Sequence, residues 1–246
     1  MQTGKLFTHR NYKNFFFIIL TIFSFGSQAQ PAIDYYNEGL KAYQQKNIIL
    51  AISSYTQSIQ ADPYIKETYN QRAVAYNEQK EYHKAIKDYN QAILLDSSYA
   101  IAYLNRANVK FKIGDIFGAM KDYNKSISLD NTSYIAYHNR GYLKEKLEDY
   151  RGAINDYDAS ILLNKSFIRN YIDKGYCQRM LSRFKESIED YNQALLIDPE
   201  NPEVYSKRGF SYLMLNKRND ACKDWSKSGE LGDLDAYDAI KKFCNN

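Results

Sequence analysis

A basic side chain recurs every 34 positions along the chain: Arg72, Arg106, Arg140, Lys174 and Arg208. Five cations in register could hold the charges of an anionic polymer. Each of them, however, has an aspartate sixteen residues further on, at Asp88, Asp122, Asp156, Asp190 and Asp224. The stretch before the series lacks both members and carries Glu38 and Ser54 instead. That joint loss favours ion pairs inside a packed array, because a cation among apolar neighbours needs a partner.

Thiols and imidazoles offer less. Cys177, Cys222 and Cys244 lack the paired spacing of a structural zinc site. Cys177 stands where small packing residues recur and reads as a buried free thiol. Cys222 lies ten residues before Gly232 and Cys244 twelve after it. If the chain folds back antiparallel there, the two sulfurs come opposite each other, and an oxidising compartment would join them. The alternative is two unpaired thiols near a frayed end. His9, His83 and His138 are scattered, with no His–Cys–acid cluster, glycine-rich phosphate loop or nucleophile elbow around them. No catalytic residue, metal or cofactor is expected, so the chain does not read as an enzyme.

The elements that must position these groups follow from composition and period. Of 246 residues, 44% are hydrophobic and 15% aromatic, enough to bury a core. The net charge of +4 is too mild to indicate nucleic acid. Much of it belongs to the first 29 residues, where Lys5, Arg10 and Lys13 precede an apolar run from Phe15 to Gly26 and the small residues Ser27 and Ala29. That layout is expected to be a secretory signal peptide over residues 1–29, the alternative being an uncleaved anchor. The run is too short to span a bilayer, so no membrane span is expected once it is removed. Its loss takes three bases and no acid, and the charge falls from +4 to +1. The rest of the chain is expected to be exported, to the periplasm or the cell exterior in a bacterium.

Tyr35, Tyr69, Tyr103, Tyr137, Tyr171 and Tyr205 keep the 34-residue interval, as do Ala51, Ala85, Ala119, Ala153, Ser187 and Ala221. Six units, 32–65, 66–99, 100–133, 134–167, 168–201 and 202–235, run end to end without a slip. Within each, apolar residues fall at three- and four-residue spacings in two blocks, for example Tyr69, Ala73 and Tyr76, then Tyr82, Ala85, Ile86 and Tyr89. Turn signals such as Lys80-Glu81 and Gly114-Asp115 separate the blocks, and Asp62-Pro63 or Asp198-Pro199 separates the units. Each unit is therefore two helices, A and B. Small residues at the eighth position (Gly39, Ala73, Ala107, Gly141, Gly175, Gly209) let them approach, and the large tyrosines at the fourth and twenty-fourth are expected to fill the space between successive pairs. A last amphipathic stretch, about 234–244, reads as a cap over the final apolar face.

This pattern of an aromatic at position 4, a small residue at 8, alanine at 20 and an aromatic at 24 resembles the tetratricopeptide repeat, over all six units. Position 4 is Tyr rather than Trp, position 7 is basic in five units, and the proline of position 32 survives only as Pro63 and Pro199. The resemblance implies an all-α, right-handed superhelical solenoid of antiparallel helix pairs over 30–246, closed by a C-terminal capping helix. It also implies a concave groove lined by helix A at positions 2, 5, 6, 9, 12 and 13. Those positions hold Tyr36, Asn37, Tyr43, Asn70, Asn105, Asn108, Phe111, His138, Asn139, Tyr142, Arg169, Tyr176 and Arg179, among others. Carboxamides amid rings suit an extended peptide, since Asn can serve backbone amides while rings cover apolar side chains.

Chaperone-binding members of the family hold a terminal carboxylate with lysines, asparagines and an arginine. The corresponding positions here are Leu104, Asn108, Asn139, Arg169 and Asp173, so that clamp is absent or altered. A related family of 35-residue repeats reads RNA, but the repeat length differs and export argues against it. The expected function is a non-catalytic protein–protein interaction module with a peptide or protein partner in the groove. The alternative is a scaffold subunit of an envelope assembly that uses its convex face or edges.

Overall fold

The computed structural model describes residues 30–244, and the expected targeting segment, residues 1–29, lies outside them. Thirteen helices and no strand occur among the described residues. They are α1 (30–44), α2 (Ile48–Ala61), α3 (Lys66–Glu78), α4 (Tyr82–Leu95), α5 (Ala100–Lys112), α6 (Ile116–Leu129) and α7 (Tyr134–Lys146), followed by α8 (Tyr150–Leu163), α9 (Ile168–Met180), α10 (Phe184–Ile197), α11 (Pro202–Met214), α12 (Arg218–Glu230) and α13 (Ala236–Phe243). No helix among the described residues is long and apolar enough to cross a membrane.

The chain forms two compact units, one ending at Val109 and one starting at Lys110. In the first, α3 packs against α2 and α4. In the second, each helix from α6 to α13 packs on its neighbour in sequence, the architecture of stacked helix hairpins. The fold is an all-α solenoid of helix pairs with a C-terminal helix.

Local chemistry sets the breaks. Within each pair, helix A ends at a residue of positive φ: Lys46, Lys80, Gly114, Glu148, Ser182 and Asn216, with φ between 59° and 83°. Only glycine takes that conformation without a steric cost, so five of these turns are held against their own preference by the packing around them. Asn47, Asp115 and Asp149 then cap helix B by accepting from the backbone amide three residues on. At the far end of helix B, Asp62, Asp96, Asp130, Asn164 and Asp198 each accept from the amide two residues on and turn the chain into the next pair.

The core of each hairpin is one ring against one small residue. Tyr55, Tyr89, Tyr123, Tyr157, Tyr191 and Trp225 are at most 2% exposed. A Cβ on Gly209 would lie 2.7 Å from Trp225, and one on Gly175 would lie 2.8 Å from Tyr191, so the close approach there requires glycine. The fourth-position tyrosines differ from the expectation of simple packing. Tyr69 is 9% exposed, Tyr103, Tyr137, Tyr171 and Tyr205 are half-buried, and Tyr35 is exposed. A guanidinium lies over four of these rings, Arg72 on Tyr69, Arg106 on Tyr103, Arg140 on Tyr137 and Arg208 on Tyr205, at 5.3–5.9 Å.

The C-terminal helix α13 packs on α12 and buries Ala236 and Ala239 beside Ala221 and Trp225. Phe243 stacks on Trp225 at 5.6 Å, and Cys222 and Cys244 form a disulfide across a Cα–Cα distance of 5.9 Å.

Candidate functional site

The periodic bases resolve into structure before any ligand is considered. Arg72 reaches Asp88 through Nε at 2.7 Å and Nη2 at 2.9 Å; Arg140 meets Asp156, and Arg208 meets Asp224, with the same two-pronged geometry. Lys174 meets Asp190 at 3.1 Å. Each base also bonds a residue of the preceding helix B, sixteen positions upstream: Thr56, Asn90, Asn124, Asp158 and Asn192 at 2.6–3.0 Å. The cation thus ties its own hairpin to the one before it. Arg72, Arg140, Lys174 and Arg208 have their charge committed inside the stack, which leaves no ladder for a polymer.

The helix-A faces carry the remaining candidates. In the unit ending at Val109, Asn105 Nδ2 donates to Asn70 Oδ1 at 3.2 Å, and Asn70 is buried at 5% exposure. Asn70, expected to face a ligand, therefore supplies its oxygen to its neighbour one repeat on. Tyr36 packs on Tyr55, and Asn37 is exposed. The Tyr43 hydroxyl donates to Glu78, and burial first and that carboxylate second push its phenol up to about 12. Asn108 is half-buried.

In the unit starting at Lys110, the face is richer in charge. Phe111 and Tyr142 meet edge to face at 5.9 Å, and Asn139 is half-buried next to this pair in sequence. His138 begins a directional relay. Ser160 donates to the Tyr134 carbonyl at 2.8 Å and so must accept from Asn170 Nδ2 at 2.7 Å. That turns Asn170 Oδ1 toward His138 Nδ1, 2.9 Å away, and fixes the proton on Nδ1. Burial depresses the His138 pKa, so the ring is neutral at pH 7 and its bare Nε2 lies 3.9 Å from Asp173.

Asp173 is 5% exposed, and burial pushes its pKa up to about 7 although Arg169 pulls the other way from 3.1 Å. Arg169 also reaches Glu203 at 3.0 Å, and Lys207 joins Glu203 at 3.5 Å. Tyr176 lies between two cations, Arg179 at 5.3 Å and Lys207 at 5.6 Å from its ring centre. Beside them α9, α11 and the 231–233 turn border an open, shallow cavity of about 500 Å³ whose lining includes Arg179, Glu203, Ser206, Lys207, Phe210 and Asp233.

Two buried residues on or beside this face escaped the sequence reading. Glu145, 7% exposed, accepts from Tyr157 at 3.0 Å and pairs with Lys146 at 3.2 Å. Asn170 is fully buried in the relay. Glu145 stands at position 12, the one signal that marked it as inner-face, whereas Asn170 lies off the face positions altogether. The buried Cys177 thiol is raised by burial first and by Glu145 second, which leaves it protonated and inert. Among the described residues no group of three His, Cys, Asp or Glu could hold a metal ion. The arrangement has the means to bind by stacking and hydrogen bonding; no nucleophile with an aligned base is assembled on it.

Known proteins were then compared with the chain. A family model described as TPR repeat matches residues 73–114 and 179–216, and one described as Tetratricopeptide repeat matches 100–133 and 134–167. No curated protein sequence matches. Among solved structures, the pilF protein of Pseudomonas aeruginosa superposes with a TM-score of 0.77 at 15% identity, covering 88% of this chain and 99% of that one. YrrB, described as a TPR protein with an unusual peptide-binding site, gives 0.67 at 21% identity over 76% and 97%. A tetratricopeptide repeat protein from Parabacteroides merdae gives 0.65 at 17% identity over 88% and 100%. At these identities the likeness carries the fold alone.

Proposed function

Because the chain belongs to the tetratricopeptide-repeat family, whose fold is a protein–protein interaction module, we propose that it binds an extended segment of a protein partner along its helix-A faces, without catalysis. The observation that carries this reading is the face of α7, α9 and α11. Tyr142, Tyr176 and Phe210 present rings there, His138 and Asp173 are fixed by internal bonds, and a cavity opens beside Arg179. Such a surface is already ordered, so this chain loses little entropy of its own when a partner docks on it. We place the protein in an exported, oxidising compartment, where the Cys222–Cys244 bridge would persist.

A second reading has its own support. Leu162 and Leu196, 34 residues apart on helix B, are 78% and 76% exposed, and Phe117 is 84% exposed. These side chains suit a scaffold that docks by its helix-B side. The two readings separate by capture from native envelope extracts followed by mass spectrometry. Loss of the same partner with Tyr142→Ala/Tyr176→Ala, but not with Leu162→Gln/Leu196→Gln, supports the helix-A face. The reverse pattern sinks it in favour of the scaffold.

A further inference from the structure

We propose that the cavity beside Arg179 is a subsite for a single carboxylate carried by the bound segment, with the neighbouring apolar side chain resting on Phe210. This deepens the helix-A reading and rests on it.

The argument is one of unanswered charge. Of the two cations that flank the Tyr176 ring, Lys207 is answered by Glu203, which Arg169 also holds. The other carboxylate on the wall, Asp233, accepts from Ser228 Oγ at 2.8 Å and from the Asp235 amide at 3.2 Å. Arg179 has no carboxylate partner. Its Nε is buried with no acceptor in good bonding geometry, and the guanidinium lies near enough to the fully buried Tyr191 hydroxyl to favour that group's ionisation. A fork-shaped cation that has no carboxylate partner and rests on a half-buried tyrosine is geometrically ready for a planar anion.

Ligand class follows from the surroundings. A dianionic phosphate would face Glu203 and Asp233 across the same cavity with two charges, whereas a carboxylate brings only one against them. Phe210, 37% exposed and held edge-on to Trp225 at 5.2 Å, supplies the apolar floor next to it. This place is distinct from the positions of the family's carboxylate clamp. In this chain Arg169 and Asp173, which stand at two of those positions, are bonded to each other.

The test uses small probes on the chain purified as cells accumulate it, labelled with ¹⁵N so that the Arg179 Nε–H signal can be followed. N-acetylphenylalanine should shift that signal, and N-acetylphenylalaninamide should bind at least about tenfold more weakly, the loss of a charge-assisted bond. N-acetyl-Phe-Glu-amide separates the two sources: binding equal to the first probe assigns a side-chain carboxylate, and weaker binding assigns a chain terminus. Phenyl phosphate should bind no better than N-acetylphenylalanine. Arg179→Gln should abolish the difference between acid and amide, and Arg179→Lys should restore part of it. Should Arg179→Gln not fold, Lys207→Gln and Phe210→Ala must each weaken N-acetylphenylalanine by several-fold. The proposal fails if acid and amide bind alike, if neither binds, if the phosphate wins, or if a folded Arg179→Gln keeps the preference. Partner capture that depends on Tyr176 while the probes show no preference would overturn the subsite and leave the helix-A reading intact.

Discussion

In the unit that starts at Lys110, one aspartate per repeat stands at the same register and is held in three ways. The side chains of Asp156, Asp190 and Asp224 are 5%, 10% and 8% exposed, so burial does not distinguish them. Donors do. Asp156 takes the Arg140 fork and also Lys144, whose Nζ lies 2.7 Å from Oδ2. Asp224 takes the Arg208 fork alone, and position 11 of that repeat holds Tyr212, whose ring lies 5.7 Å from the guanidinium. Asp190 has one bond from Lys174, and its Oδ2 is buried with no partner. Burial accordingly pushes Asp190 up to about 6, further than the lysine can restore. A guanidinium and an ammonium in one slot are thus different devices: the fork closes both oxygens and reaches Asn124 or Asn192 as well, while the point charge is divided between Asp190 and Asp158.

The sharpest way to break this comparison is at Asp224. Arg208→Ala removes every cation bonded to a buried carboxylate and should cost about 3–5 kcal/mol, read as a lower urea midpoint at unchanged slope. Arg140→Ala is the smaller lesion of the same kind. Lys144 remains on Asp156, so the loss should stay near about 1–2 kcal/mol. Adding Lys144→Ala should bring the total toward that of Arg208→Ala. Equal effects of Arg208→Ala and Arg140→Ala would show that the second cation does not share the load.

These pairs also mark where sequence reasoning worked and where it stopped. Helix A starts at Lys66, Ala100, Tyr134, Ile168 and Pro202, at the interval the tyrosines and small residues announce, because each hairpin needs the same contact of a ring on glycine or alanine to close. The base-to-aspartate partnership was visible for a related reason, since a buried charge must recur together with its counter-charge. The upstream bonds to Asn90, Asn124 and Asn192 were not visible. An asparagine in mid-helix is unremarkable until the rotation of the helix is known. Asn70 shows the same limit, as a polar residue spaced for the groove face can be buried when its neighbour offers a bond. At the C-terminus, the spacing about Gly232 allowed Cys222 and Cys244 to meet, but only the orientation of the eight-residue helix α13 brings them into a bridge.

The finest test converts one device into the other. Lys174→Arg offers Asp190 two donors, with a third for Asp158, and should satisfy the orphaned Oδ2. At pH 7 the expected gain is about 1 kcal/mol, the net worth of a hydrogen bond regained in a buried site. Its pH dependence identifies the cause. Asp190 has a folded pKa of about 6, above the ordinary unfolded value, so the unfolded chain ionises first as pH rises. The stability that its neutral form lends is full below about pH 4 and is lost by about pH 6, a fall of up to about 3 kcal/mol. In Lys174→Arg the fork pulls that pKa down, and the loss across this window shrinks. The variant should therefore match the parent at pH 4 and exceed it increasingly up to pH 6, in urea midpoints taken at half-unit steps. A gain that is the same at every pH would mean that the larger, planar guanidinium stabilises by packing, and that the second oxygen of Asp190 was never the weak point of the fifth repeat.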